Sequence, residues 1–421
     1  MPEKLLLGCV ADDFTGGSDA ASHLAAGGLN TILCNGVPAP GFVPPEGCEA
    51  VVIALKSRTQ ETESAVADSM KAARWLAEQG AEQLYVKYCS TFDSRPCGNI
   101  GPIVDAILEA FNVPGTVLCP ALPSNGRVVR DGILYVNGVP LAESPMKDHP
   151  LTPMWESRVA KLMEPQGKYA CLEVFRDALH GDPETLLTGL ARRISSQAHY
   201  YIVPDYVDEA DAEKIISLFG GMRVLTGGSG LLTPLARRLK PRRHAEVFSS
   251  AAAGRALILS GSCSPATNAQ TQWYLHHGGE GLRLQGSALL NGSETAGTLW
   301  ARAGAFSSAP LIYAYETPEK LHAKRADGGQ MLSAKIEQTL AETAALAVAD
   351  GVTRIIVAGG ETSGAVVRRL GFQAFGISES LAPGVPVLLP LERPELRLVL
   401  KSGNFGQKDF FFRALSATAG S

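Results

Sequence analysis

Short apolar runs alternate with longer stretches of helical period through the first half of the chain. Runs at 4–10, 31–35, 50–55, 83–89 and 115–119 have the length and composition of buried strands, and 17–27, 61–79 and 99–111 read as helices between them. The first of these helices ends at Gly27 and Gly28, as helices commonly do. That alternation predicts βαβ units and a mostly parallel sheet. The pattern breaks at 127–141, RVVRDGILYVNGVPL, where two β-rich runs around Gly132 and an Asn-Gly turn predict a hairpin excursion. It resumes with a helix at 184–197, the run YYIVPDY, a helix at 208–219 and MRVLTGGSGLL.

Residues 237–255 carry a basic stretch followed by small polar residues with no apolar period, which reads as a linker. A second α/β series begins at once: 256–278, 311–316, a long helix at 333–350, then 354–371 and 396–411. The expectation is two α/β domains with mostly parallel sheets, 1–245 and 246–421, with the active site in the interdomain cleft.

Length and composition agree with this picture and narrow the function classes. A chain of 421 residues is too long for one ordinary core. Apolar content of 45% and charged content of 19% describe a globular protein, and a net charge of −4 gives no pull toward nucleic acid or membrane. The start, MPEKLLLGCVADD, lacks the basic and apolar regions of a signal peptide, and no apolar stretch is long enough to span a bilayer. Eight cysteines, at 9, 34, 48, 89, 97, 119, 171 and 263, form no CxxC pair and read as buried reduced thiols. A cytoplasmic location is expected.

Candidate chemistry collects at predicted strand ends. ADDFTGGSD (11–19) places Asp12 and Asp13 after the first strand, where open α/β sheets bind ligands. One aspartate there could simply cap the helix, but two adjacent carboxylates repel unless a cation or a hydroxyl uses them. VKYCSTFDSRPCGNIG (86–101) crowds Lys87, Ser90, Thr91, Asp93, Ser94, Arg95 and Asn99 into one strand end, a mix that suits a loop or a small polyhydroxy acid. Arg58 follows a third strand, and His149 lies in an extended loop fixed by prolines as a candidate base or donor. In the second half, Ser260-Gly261-Ser262, Gly359-Gly360-Glu361-Thr362-Ser363-Gly364 and Ser402-Gly403-Asn404-Phe405-Gly406 each follow a strand. One such turn is an ordinary connection or a phosphate cradle; three that converge would make a nucleotide-sized anion pocket. Lys401 is either a phosphate partner there or a solvated lysine. No histidine or cysteine spacing suggests a metal site, and neither GxSxG nor GxGxxG is present.

Together, ADDFTG, KYCSTFDSRPCGNIG, HPLTPM, SGSCSPATNAQ, GGETSG and KSGNFG resemble the four-carbon acid sugar kinase family, in order from residue 11 to residue 406. The resemblance is strongest to the branch that phosphorylates 3-oxo-tetronates at the 4-position. It implies an acid-sugar domain at 1–245 and an ATP domain at 246–421. It also implies nucleotide contacts at Ser260, Gly359, Gly360, Glu361, Thr362 and Gly403, and substrate contacts at Arg58, Lys87, Ser90, Thr91 and Asp93. Asp13 is the expected base, with Asp12 orienting the hydroxyl or holding Mg2+ indirectly. The expected partners are a small-molecule acid sugar and ATP with Mg2+, no nucleic acid and no membrane, with a homodimer left open. D-threonate or D-erythronate kinases, and a nucleotide sensor without turnover, are the rival readings.

Overall fold

The structure, a computed structural model, describes residues 5–148, 152–195, 197–239, 250–315 and 329–420. His149 and most of the expected linker at 237–255 lie outside the described residues. The chain divides into two compact units, Met1–Glu246 and Val247–Ser421.

The first unit contains β1 (Leu7–Ala11), β2 (Thr31–Asn35), β3 (Ala50–Ala54), β4 (Gln83–Lys87), β5 (Gly115–Cys119), β6 (Arg127–Arg130), β7 (Ile133–Val136), β8 (Val139–Pro140), β9 (Ala170–Val174), β10 (Tyr200–Pro204) and β11 (Val224–Gly227). Eight of these form a parallel array in the order β2-β3-β1-β4-β11-β5-β10-β9. The central strands are buried on both faces, which is why their sequences are continuous apolar runs without alternation. Helices α1 (Phe14–Ala26), α2 (Thr62–Glu78) and α3 (Ile100–Ala110) supply crossovers. Chain order diverges at β1, with β3 on one side and β4 on the other, so a ligand crevice is expected at their carboxyl ends.

The excursion at 127–141 is a three-stranded antiparallel meander, β6-β7-β8, one strand more than the hairpin expected. Its two connections are Asp131-Gly132 and Asn137-Gly138, all four residues at positive φ, the conformation that Asp/Asn-Gly pairs favour in tight hairpins.

The second unit holds β12 (Arg255–Ser260), β13 (Gly281–Arg283), β14 (Leu311–Tyr313), β15 (Val352–Ala358), β16 (Ala374–Ala382), β17 (Val385–Pro390) and β18 (Arg397–Lys401). Five strands run parallel in the order β13-β14-β12-β15-β18, and β17 and β16 extend the sheet with antiparallel pairings. Helices α4 (Pro265–His276), α5 (Gly329–Ala349), α6 (Gly360–Leu370) and α7 (Phe410–Thr418) belong to this unit. Phe410 and Phe411 of α7 pack with Ile258, Ile356, Val387 and Val399 in its core.

None of the eight cysteines is in a disulfide. Cys97 departs from the expected burial: it is exposed, because it sits in the turn ahead of α3 and not in a strand.

Candidate active site

In the first unit, hydrogen-bond register places four strand ends at one level. Ala11 pairs with Ala54 and with Lys87, and Lys87 pairs with Gly227. The chain just past β1 is held from both sides: the Asp12 amide donates to the Lys87 carbonyl at 3.1 Å, and the Arg58 amide reaches the Asp12 carbonyl at 3.4 Å. Arg58 is thereby brought onto the acidic pair. Its Nε and Nη2 donate to Asp12 Oδ2 at 2.8 Å and Oδ1 at 3.0 Å. Its Nη1 lies 3.0 Å from Asp13 Oδ2 and 4.0 Å from Asp93 Oδ2.

Asp13 also caps α1, accepting the Gly16 amide at 2.5 Å, so the capping reading and the cluster reading are both true of it. A Cβ on Gly16 would lie 2.6 Å from Asp13 Oδ1, 3.2 Å from Lys87 Nζ and 3.6 Å from Asp12 Oδ1, which shows that these three groups converge on one point. The two carboxylates differ in access. The Asp12 side chain is 11% exposed and that of Asp13 is 34% exposed. Desolvation pushes the Asp13 carboxyl above its ordinary value, opposed by Arg58 and reinforced by the charge on Asp12. Burial would lower the Arg58 guanidinium, but Asp12 and Asp13 hold it well above the usual range.

The 87–94 segment arrives at the same edge. Lys87 is buried and donates to the Tyr88 carbonyl at 2.9 Å, and Thr91 donates to Asp93 Oδ1 at 2.6 Å. Ser90 is partly exposed. Phe92 sits at φ 52°, buried edge-on against Tyr88, a left-handed conformation that a bulky residue adopts only when its surroundings enforce it. Asn99 turns inward instead: its amide donates to the carbonyls of Ser57 and Gln60 and its oxygen accepts from Thr62, so it clamps the loop that carries Arg58. Its sequence neighbours gave no sign of that role.

In the second unit the three glycine turns do come together. β12, β15 and β18 are adjacent and parallel, and Ser260, Ala358 and Lys401 stand in register at their ends. The amides of Gly261 and Ser262 both reach the Ala358 carbonyl, and the Gly359 amide donates to the Lys401 carbonyl at 2.9 Å. Gly359 opens α6 at φ 125°, ψ 129°, a conformation that only glycine enters freely. A Cβ on Gly261 would lie 2.1 Å from Thr362 Oγ1, and one on Gly403 would lie 2.5 Å from Ser262 Oγ, so the turns touch. Gly360 and Glu361 are exposed in the first turn of α6, while Thr362 and Ser363 are buried. The hydroxyls of Ser260 and Ser363 are buried without a hydrogen-bond partner among the described residues. Orphaned hydroxyls, glycine-bared backbone and the amino end of α6 are the donor set an anionic ligand needs. Lys401 is not solvated: it is 1% exposed.

Among the described residues no group of three histidine, cysteine or acidic side chains could hold a metal ion, and no helix is long and apolar enough to cross a membrane.

A family model described as a sugar-binding N-terminal domain matches residues 7–235, and one described as a nucleotide-binding C-terminal domain matches residues 257–411. The chain is 42% identical over 417 residues to a 3-oxo-tetronate kinase of Brucella melitensis biotype 1, covering 97% of this chain and 94% of the relative. It is 41% identical over 412 residues to a 3-oxo-tetronate kinase of Actinobacillus succinogenes, covering 97% and 98%. The crystal structure of Haemophilus influenzae protein HI1011 matches with a TM-score of 0.82 at 39% identity, covering 97% of this chain and 99% of that one.

Proposed function

Because the chain belongs to the four-carbon acid sugar kinase family, we propose that it transfers the γ-phosphate of ATP to the 4-hydroxyl of a 3-oxo-tetronate. The first unit holds the acid sugar and the second holds the nucleotide. The observation that supports this reading best is the division between two adjacent carboxylates: Asp12 is neutralised by Arg58, while Asp13 stays partly open with a raised proton affinity.

Asp13 accepts the proton of the terminal hydroxyl as its oxygen attacks the γ-phosphorus, and the bond from that phosphorus to the bridging oxygen of ADP breaks. Asp12, fixed by Arg58, keeps the guanidinium in place, and its charge raises the proton affinity of the ionised Asp13 that takes the proton during transfer. Lys87 and Arg58 face the substrate carboxylate, and Ser90, Thr91 and Asp93 meet its oxygens. At the nucleotide, Ser260, Gly359, Gly360, Glu361, Thr362 and Gly403 line the converging turns, with backbone amides on the phosphates. Mg2+ would be held by the phosphate oxygens of ATP and by water, which it favours over an all-protein cage, and would offset charge on the transferred group.

A coupled ADP-release assay with Mg-ATP and a panel of four-carbon acids tests the reading. Turnover on the 3-oxo acid and not on D-threonate or D-erythronate supports it. Turnover on the hydroxy acids alone moves the substrate to that rival, and nucleotide binding with no turnover on any acid favours a sensor.

A further inference from the structure

Lys401 is a buried ammonium with no carboxylate paired to it among the described residues, a rare and costly state for a lysine. Its Nζ donates to Thr267 Oγ1 at 3.0 Å and to the carbonyls of Ser402 at 3.1 Å and Gly403 at 3.2 Å. The Gly403 carbonyl also accepts from Ser264 Oγ and Thr267 Oγ1, each at 2.6 Å, and Gln270 donates to the carbonyls of Phe405 and Gly406. Ser264, Thr267 and Gln270 are three residues apart, so one face of α4, from its N-cap onward, reads the inner side of the 402–406 turn.

A trans peptide plane points its N–H opposite its C=O. With the carbonyls of Ser402 and Gly403 drawn toward Lys401 and α4, the amides of Gly403 and Asn404 point the other way. Gly403 on that turn is the glycine that abuts Ser262. We propose that Lys401 is a positioning residue for phosphate recognition: with Ser264 and Thr267 it anchors the carbonyls of the 402–403 turn, aims the turn's amides at a bound polyphosphate, and supplies a buried positive charge whose counter-charge arrives with that ligand. The inference rests on the nucleotide reading of the second unit. Burial pulls the Lys401 ammonium down to about 7, as expected of a cation without a permanent anionic partner.

Isothermal titration with the non-hydrolysable analogue AMP-PNP and Mg2+, on wild type, Lys401→Met and Thr267→Val, decides it, with thermal melts to confirm folding and steady-state kinetics alongside. The expected result is that wild type binds and both variants bind about tenfold more weakly, the scale of a lost charge-assisted hydrogen bond. KM for ATP rises in step, while KM for the acid sugar stays put. Folded variants that bind AMP-PNP like wild type, or that raise both KM values together, overturn the positioning role and leave the nucleotide reading standing. If wild type itself does not bind, the nucleotide reading fails and takes the inference with it. If Lys401→Met does not fold, the near-isosteric Thr267→Val decides between the same outcomes.

Discussion

Arg58 closes a two-pronged ion pair on Asp12, Nε to Oδ2 at 2.8 Å and Nη2 to Oδ1 at 3.0 Å, and leaves only one nitrogen for Asp13. Fork-to-fork pairing of this kind fixes both partners in orientation as well as charge. The consequence is an asymmetry between neighbours in sequence: Asp12 takes two nitrogens of the guanidinium and is 11% exposed, whereas Asp13 takes one, is 34% exposed and has its proton affinity raised by burial.

Asp13→Asn therefore lowers kcat by about 10²–10⁴-fold, the usual range for loss of a general base, with KM for ATP little changed. Steady-state kinetics measure it. A variant with near-normal turnover removes Asp13 from the base role.

The same substitution has an opposite effect on stability. A carboxyl whose folded pKa lies above its unfolded value costs stability once pH exceeds both, because the folded protein disfavours the charge. Asparagine removes that charge and still caps α1. Asp13→Asn should therefore melt higher than wild type at neutral pH. The gain should vanish as pH falls below the ordinary aspartate value near 3.8, where aspartate is protonated in both states. Melting curves across pH test the sign.

Arg58 lowers the proton affinity of Asp13, so Arg58→Met should move the acid limb of the kcat–pH profile to higher pH. It also strands Asp12, and breaking such a pair costs about 3 kcal/mol, at the lower end because Arg58 keeps 22% of its side-chain exposure. An unshifted acid limb in a folded variant would separate Arg58 from Asp13 electrostatically.

Ser260 offers a test that needs no catalysis. Its buried hydroxyl has no partner among the described residues, so Ser260→Ala should leave thermal stability unchanged or raise it. If the hydroxyl serves the nucleotide, AMP-PNP affinity falls at the same time. Loss of stability would mean that the hydroxyl has a structural partner instead.

Much of this was legible in the sequence, for identifiable reasons. Strands buried on both faces leave uninterrupted apolar runs, and β2 and β5 fall at the expected residues 31–35 and 115–119. The glycine turns announced themselves because close backbone approach admits nothing larger. The β16-β17 hairpin was hidden by Pro386 and Pro390 inside β17, residues that argue against a strand by removing ladder donors. Strand β9 was missed because ACLEV is only partly buried and carries Glu173, which breaks the apolar run. At the site, residue types were readable but partners were not. The Arg58–Asp12 pair spans 46 positions, and the burial of Lys401 depends on helix α4 lying over its turn.

The most direct measurement is phosphorus NMR of the product formed from Mg-ATP and a 3-oxo-tetronate generated in situ. A new phosphomonoester resonance coupled to the two C4 protons is expected, appearing in step with ADP. Consumption of ATP without that resonance, or a phosphate coupled to a different carbon, would contradict it.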